Sequence, residues 1–168
     1  MASKDHIIDV PVLRRAAMDF LARREHSFHE LSQKLIRKYP DAEASMVNDV
    51  LVALRQEQLL SDERFVESFV RYRKSRGFGL QHIRADLLAR VVSEEIIARH
   101  LFVDDEDWFS IAEELTLKRL GTGAIAFGSK LHQRHLRFLQ SRGFSTREIR
   151  HVMDKRLDYS GQSSASDS

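Results

Sequence analysis

Of the 168 residues, 42% are hydrophobic and 31% charged, which supplies enough apolar surface for a folded core and excludes a disordered chain. Cysteine is absent, so disulfides and thiolate zinc sites are excluded, and a reducing compartment, the cytoplasm, is the expected location. With 27 Lys and Arg against 25 Asp and Glu the net charge is only +2, and the total singles out no partner.

The first stretch, "MASKDHIIDVPVL", carries acids and lacks the roughly 7 to 15 residue apolar core of a secretory signal. No run approaches the roughly 20 apolar residues of a membrane helix, so a soluble protein without membrane contact is expected. Apolar residues then recur at helical spacing, among them Met46, Val47, Val50, Leu51 and Leu54; Phe65, Phe69 and Tyr72; and Trp108, Ile111, Ala112 and Leu115. This predicts helices over Val12 to Glu25, Phe28 to Tyr39, Ala42 to Gln56, Asp62 to Arg76, Leu80 to Arg90 and Glu94 to Leu101. Three more follow over Glu106 to Leu120, Lys130 to Arg142 and Thr146 to Leu157. Sustained alternation occurs nowhere, so the class is all-α. The closing "SGQSSASDS", residues 160–168, has nothing to bury and reads as a disordered tail.

Two helices end in the same letters, Ser75-Arg76-Gly77-Phe78 and Ser141-Arg142-Gly143-Phe144. A tetrapeptide recurs by chance with odds of roughly one in ten, so the flanking columns must decide. With Ser27, Gly79 and Ser145 in one column, Leu13, Phe65 and Leu131 align, as do Phe20, Tyr72 and Phe138; Leu31, Ile83 and Ile149; and Leu35, Leu87 and Met153. Arg24, Arg76 and Arg142 form a further column. The chain is therefore three copies of a helical unit: an extension over 1–11, repeats over 12–61, 62–105 and 106–159, and the tail. "SRGF" reads as a helix stop in which the glycine turns left-handed and Phe78 or Phe144 folds back onto Tyr72 or Phe138. Ser27 with Glu30, and Ser145 with Glu148, have the spacing of capping boxes for the next helix.

Charge is laid out in blocks. Arg71 to Arg90 holds six basic residues and one acid, Lys130 to Arg156 eight and two, and Ser93 to Asp107 one and six. Arg71, Arg73, Lys74 and Arg76 share a helix end with Phe69 and Tyr72, so several must face outward. Arg134, Arg137, Arg142, Arg147 and Arg150 offer a comparable surface. These nine are the candidate contacts for phosphates or acidic protein loops.

Other features carry less. "GAIAFGSK", residues 123–130, misses the phosphate-binding loop because lysine does not follow the second glycine directly, and a packed or flexible linker is expected. His26 with His29, and His132 with His135, stand three apart without a third ligand nearby, and read as surface residues with no bound metal. Asp104 to Asp107 falls where a helix begins and suits its positive end, and Trp108 reads as core. No catalytic residue and no cofactor is implied.

"LARREHSFHELSQKL", "DERFVESFVRYRKSRGFGLQHIRADL" and "RFLQSRGFSTREIRHVM" resemble the three successive repeats of RecX, the bacterial regulator of the RecA recombinase. The resemblance spans roughly Val12 to Leu157. It implies tandem three-helix repeats in an elongated, curved array and no enzymatic activity. It also implies a monomer that binds the RecA filament groove, meets single-stranded DNA directly or through the filament, and restrains ATPase, strand exchange and repressor cleavage. DNA repair, homologous recombination and the SOS response would be its setting. Two departures stand out: Glu25-His26 replaces Gly-Phe in the first unit, and "GTGAIAFGS" is more apolar than expected of the family. The competing reading is a helix-turn-helix protein contacting DNA bases directly.

Overall fold

The computed structural model describes residues 8–158, and the expected tail and the start of the extension lie outside them. In order the elements are α1 (Val10–Leu21), α2 (Phe28–Lys38), α3 (Ala44–Gln56), α4 (Asp62–Ser75), α5 (Leu80–Ala89), α6 (Glu94–His100), α7 (Asp107–Leu120), β1 (Ile125–Ala126), α8 (Lys130–Ser141), α9 (Thr146–Asp154) and β2 (Leu157–Asp158). The described chain divides into two compact units, one from residues 8–69 and 87–100, the other from 70–86 and 101–158. Helices α4 and α5 cross the boundary and contribute to both.

The first unit is built from its turns inward. Asp9 accepts from the Val12 N–H, and Pro11 sits in the first turn where no N–H is missed, so α1 starts two residues earlier than expected. It ends at Leu21 because His26 is drawn into the core, which pulls residues 22–24 into a turn. Leu13, Ala16 and Ala17 of α1 pack on Leu31 and Leu35 of α2 and on Val47, Val50, Leu51 and Leu54 of α3. Ser27 caps α2 by accepting from the Glu30 N–H, but the box stays half-formed: the Glu30 carboxylate is held by Arg24 at 2.6 Å. Asp62 takes the Phe28 N–H at 2.8 Å instead.

In the second unit α7 and α8 pack about α9, around Ala112, Leu139, Phe144, Ile149, Val152 and Met153. Ser145 and Glu148 form the full capping box expected there. Strands β1 and β2 pair in parallel, Ile125 with Leu157 and Ala126 with Asp158, which corrects the helix expected through Leu157 and closes the apolar linker onto the core. The aligned hairpins are α1–α2, α4–α5 and α8–α9. The helix that completes the three follows the hairpin in the first two repeats, as α3 and α6, and precedes it in the third, as α7.

The duplicated "SRGF" acquires its meaning inside the second unit. Both copies close with the same pair of bonds: Phe78 N–H to Arg73 C=O with Gly77 N–H to Lys74 C=O, and Phe144 N–H to Leu139 C=O with Gly143 N–H to Gln140 C=O. The two turns then meet each other. Gly79 N–H donates to the Arg142 carbonyl at 2.7 Å and Gln81 N–H to the Gly143 carbonyl at 3.1 Å. The carbonyl end of α8 thereby satisfies the open N–H groups of α5, joining opposite dipole ends.

Candidate partner-binding surface

All nine candidate cations belong to the second unit, and the fold sorts them. On α4 the buried face runs through Val66 and Val70, which turns Arg73 and Lys74 inward. The Arg73 guanidinium pairs with Asp86 at 2.5 Å and lies 4.8 Å above the Phe78 ring. Lys74 pairs with Asp105, reaches Asp107 at 3.1 Å, and sits 4.5 Å above the Trp108 ring. Partial burial works against ionising Asp105, but the Lys74 ammonium and the Asp107 N–H outweigh it and hold its carboxyl below the usual range. Much of the acidic run is thus an internal clamp that fixes the start of α7, and Trp108 is core, its indole N–H given to the Phe102 carbonyl.

Arg142 is half-committed. Its guanidinium lies 4.7 Å above Phe78 and 5.2 Å above Phe138, and its Nη1 donates to the Arg76 carbonyl at 3.4 Å. Arg147 covers the Phe109 ring at 5.1 Å but remains 72% exposed, with Asp104 only at 3.9 Å. Arg71 is exposed on the outer face of α4. Arg76, Arg134, Arg137 and Arg150 are exposed and make no ion pair among the described residues. Arg134 and Arg137 are three apart on α8, as Arg147 and Arg150 are on α9, so each pair shares a helix face. Beside Arg150 lies an open groove of about 290 Å³ over Phe127, Leu136, Ile149 and Met153.

Three expectations are overturned. Tyr72 is not part of a clasp: it is 59% exposed, and Phe78 instead stacks on His82 at 4.5 Å, while only the second copy folds as expected, Phe144 joining the core beside Phe138. Leu131 likewise leaves its apolar column and stands 46% exposed. Three of the four histidines expected at the surface are not there, while His29 is half-buried. His26, His132 and His135 are buried, and each is held by hydrogen bonds. His132 Nδ1 accepts from Gly128 N–H, and Ser129 caps α8, so the donors of "GAIAFGSK" are used inside a packed turn. Among the described residues no group of three His, Asp or Glu could hold a metal. The exposure of Tyr72 could have been read from Val66 and Val70, which mark a core stripe rotated away from it.

Paired hairpins, three times repeated, with cations held out in solvent define a helical-repeat protein. The chain belongs to the RecX family. The family models for its first, second and third three-helix domains match residues 14–47, 61–101 and 105–153. "Regulatory protein RecX" of Pseudomonas entomophila is 36% identical over 151 residues, covering 89% of this chain and 96% of that one. Its counterpart in Halorhodospira halophila is 40% identical over 138 residues, covering 82% and 84%. The crystal structure of RecX from Lactobacillus salivarius has the same fold, with a TM-score of 0.70 at 19% identity over 88% of this chain and 96% of that one. Another, titled as regulatory protein RecX, aligns with a TM-score of 0.69 at 23% identity over 86% and 73%.

Proposed function

We propose that this chain is a non-enzymatic regulator of a RecA-type recombinase that docks on its filament through the unpaired cations of the second unit. The observation that carries this reading is how charge is divided. Arg73 and Lys74 are neutralised by acids within the fold, whereas Arg76, Arg134, Arg137 and Arg150 keep theirs in solvent. Such charge attracts phosphates or acidic loops of a partner and speeds encounter. Relatives named regulatory proteins and not enzymes agree with it.

A protein bridging neighbouring filament subunits opposes the movements that ATP turnover and strand pairing require. It also occupies the groove where a second duplex or a repressor enters, so ATPase, strand exchange and repressor cleavage fall together. Direct base reading by helix-turn-helix geometry fits less well. Such proteins place the start of the second helix in the major groove, and the first N–H groups at α5 are already taken by the Arg142 and Gly143 carbonyls.

The test adds the protein to preformed RecA filaments on single-stranded DNA and follows ATP hydrolysis together with co-sedimentation. Hydrolysis should fall as the protein sediments with the filament. A variant with Arg134, Arg137 and Arg150 changed to glutamate, its helical circular dichroism intact, should lose both effects. No association at a several-fold excess removes the proposal.

A further inference from the structure

We infer that Tyr72 is a stacking platform for an unpaired base, flanked by Arg76 and Arg142 that take the adjoining phosphates of a single strand. The inference rests on the basic surface above being an interface, but it requires no recombinase.

The second unit covers four of its aromatic rings with cations. Arg73 and Arg142 lie over Phe78, Arg119 and Arg142 over Phe138, Lys74 over Trp108 and Arg147 over Phe109. Tyr72 and Phe102 are the contrast, and of the two only Tyr72 lies beside basic residues, Phe102 preceding the acidic run from Asp104. Tyr72 is 59% exposed, and among the described residues neither a ring nor a cation lies against it. Yet basic side chains are its neighbours. Arg76 stands four residues on, in the turn just past the end of α4, Arg71 is adjacent in sequence, and the bond from Arg142 Nη1 to the Arg76 carbonyl brings another guanidinium to the same helix end.

A bare aromatic face bordered by cations suits a ligand that is itself flat, apolar in one part and anionic in the next. A nucleotide strand is that ligand. Base-to-ring stacking tolerates any sequence, and the phosphates on either side meet the guanidiniums. Unpaired bases are required, because a duplex has already stacked its own. An apolar side chain from a partner protein is a poorer match, since Arg71, Ser75 and Arg76, the neighbours of Tyr72 along the helix end, are polar and all exposed.

The experiment measures fluorescence anisotropy of a labelled oligothymidine with the full chain and no recombinase present. Tyr72→Ala should weaken binding about tenfold and Tyr72→Phe should leave it within about twofold. An abasic strand of equal length should bind the wild type as weakly as oligothymidine binds Tyr72→Ala. Arg76→Gln should lower the slope of log affinity against log salt by about one. The inference is overturned if the wild type does not bind the strand, if Tyr72→Ala binds as the wild type does, or if duplex binding falls equally. It is also overturned if Tyr72→Ala keeps the strand but loses RecA filaments, which would assign the ring to a protein partner. Filament ATPase measured beside it separates the two proposals: no effect of the wild type on ATPase, with the oligothymidine losses intact, removes the filament reading alone.

Discussion

In the first compact unit the helix stops after α3 and α5 place Gln58 and Val91 in the left-handed position, at φ 60° and 57°. In the second unit the stops after α4 and α8 use Gly77 and Gly143, at φ 74° and 87°. The hydrogen bonds are the same in all four: Leu59 to Leu54 with Gln58 to Arg55, and Val92 to Leu87 with Val91 to Leu88, repeat the two glycine closures. What differs is the space beside the turn. Gln58 and Val91 face solvent, whereas a Cβ on Gly77 would touch the Leu115 side chain at 3.0 Å and one on Gly143 would collide with the His82 backbone. A left-handed residue can carry a side chain at some strain; a turn pressed against another backbone cannot.

The largest effect should come from breaking that contrast at its tightest point. Gly143→Ala should destabilise the chain by about 3 kcal/mol or more, because strain at positive φ adds to a collision with backbone that cannot swing aside. Gly77→Ala should cost about 1 kcal/mol, since the Leu115 side chain can move. Urea unfolding followed by circular dichroism compares them. Equal losses would mean that φ alone decides.

Each unit also buries histidine, and His26 and His135 are satisfied unequally. His26 gives its Nδ1–H to the Arg24 carbonyl and accepts at Nε2 from Lys34 at 2.9 Å. The Thr116 hydroxyl donates to the Ala112 carbonyl, so it accepts from His135 Nε2–H, which leaves Nδ1 buried without a partner among the described residues. Burial, reinforced by Arg119 and Arg156, pushes His135 down to about 4, and burial with Arg24 and Lys34 lowers His26. A folded value below the unfolded 6.5 means that stability is full above pH 6.5 and is lost as pH falls toward 4. Between pH 6.5 and 5 the loss from His135 should reach about 2 kcal/mol. His135→Gln should flatten most of that dependence and His26→Phe a smaller part, read from urea midpoints across the range. A midpoint indifferent to pH in the wild type would sink the idea.

The two N-caps sharpen the contrast at a smaller scale. Ser145→Ala should lower stability by about 1 kcal/mol, since the Glu148 N–H loses its acceptor and the capping box fails. Ser27→Ala should cost less, because Asp62 still holds the Phe28 N–H. Thermal unfolding of the two variants would show the order reversed if Ser27 were the stronger cap.

Element positions were legible in the sequence because apolar spacing and helix stops are local properties. Glycine-marked stops were read as such, and the stops after α3 and α5 were placed within one residue without a glycine, whereas that after α1 was placed four residues late. Which face of a helix is buried was less legible. Phe65, Phe69 and Tyr72 have helical spacing, and so do Val66 and Val70; tertiary packing buries Phe65 with Val66 and Val70 and leaves Tyr72 outside. The strands stayed hidden because two residues each are too short to alternate and their partners lie in distant sequence. For the candidate surface, the blocks of charge were visible but their pairing was not. Lys74 finds Asp105 from 31 residues away and His135 finds Thr116 from 19, and no local pattern encodes such meetings.

The smallest expected effect is a gain. Val91 is β-branched and held at φ 57°, a region that glycine enters freely and that a branched side chain enters against its own backbone. Its side chain is 67% exposed, so little burial is lost on removing it. Glycine adds conformational freedom to the unfolded chain, which offsets part of the relief. Val91→Gly should therefore stabilise the chain by about 0.5 to 1 kcal/mol, raising the thermal midpoint by a few degrees. Gly143 cannot be exchanged in the opposite sense, since its space is taken by the His82 backbone. A lower midpoint for Val91→Gly would show that the valine side chain holds its turn by contacts worth more than the strain, and that open space beside a left-handed residue does not by itself make a side chain dispensable.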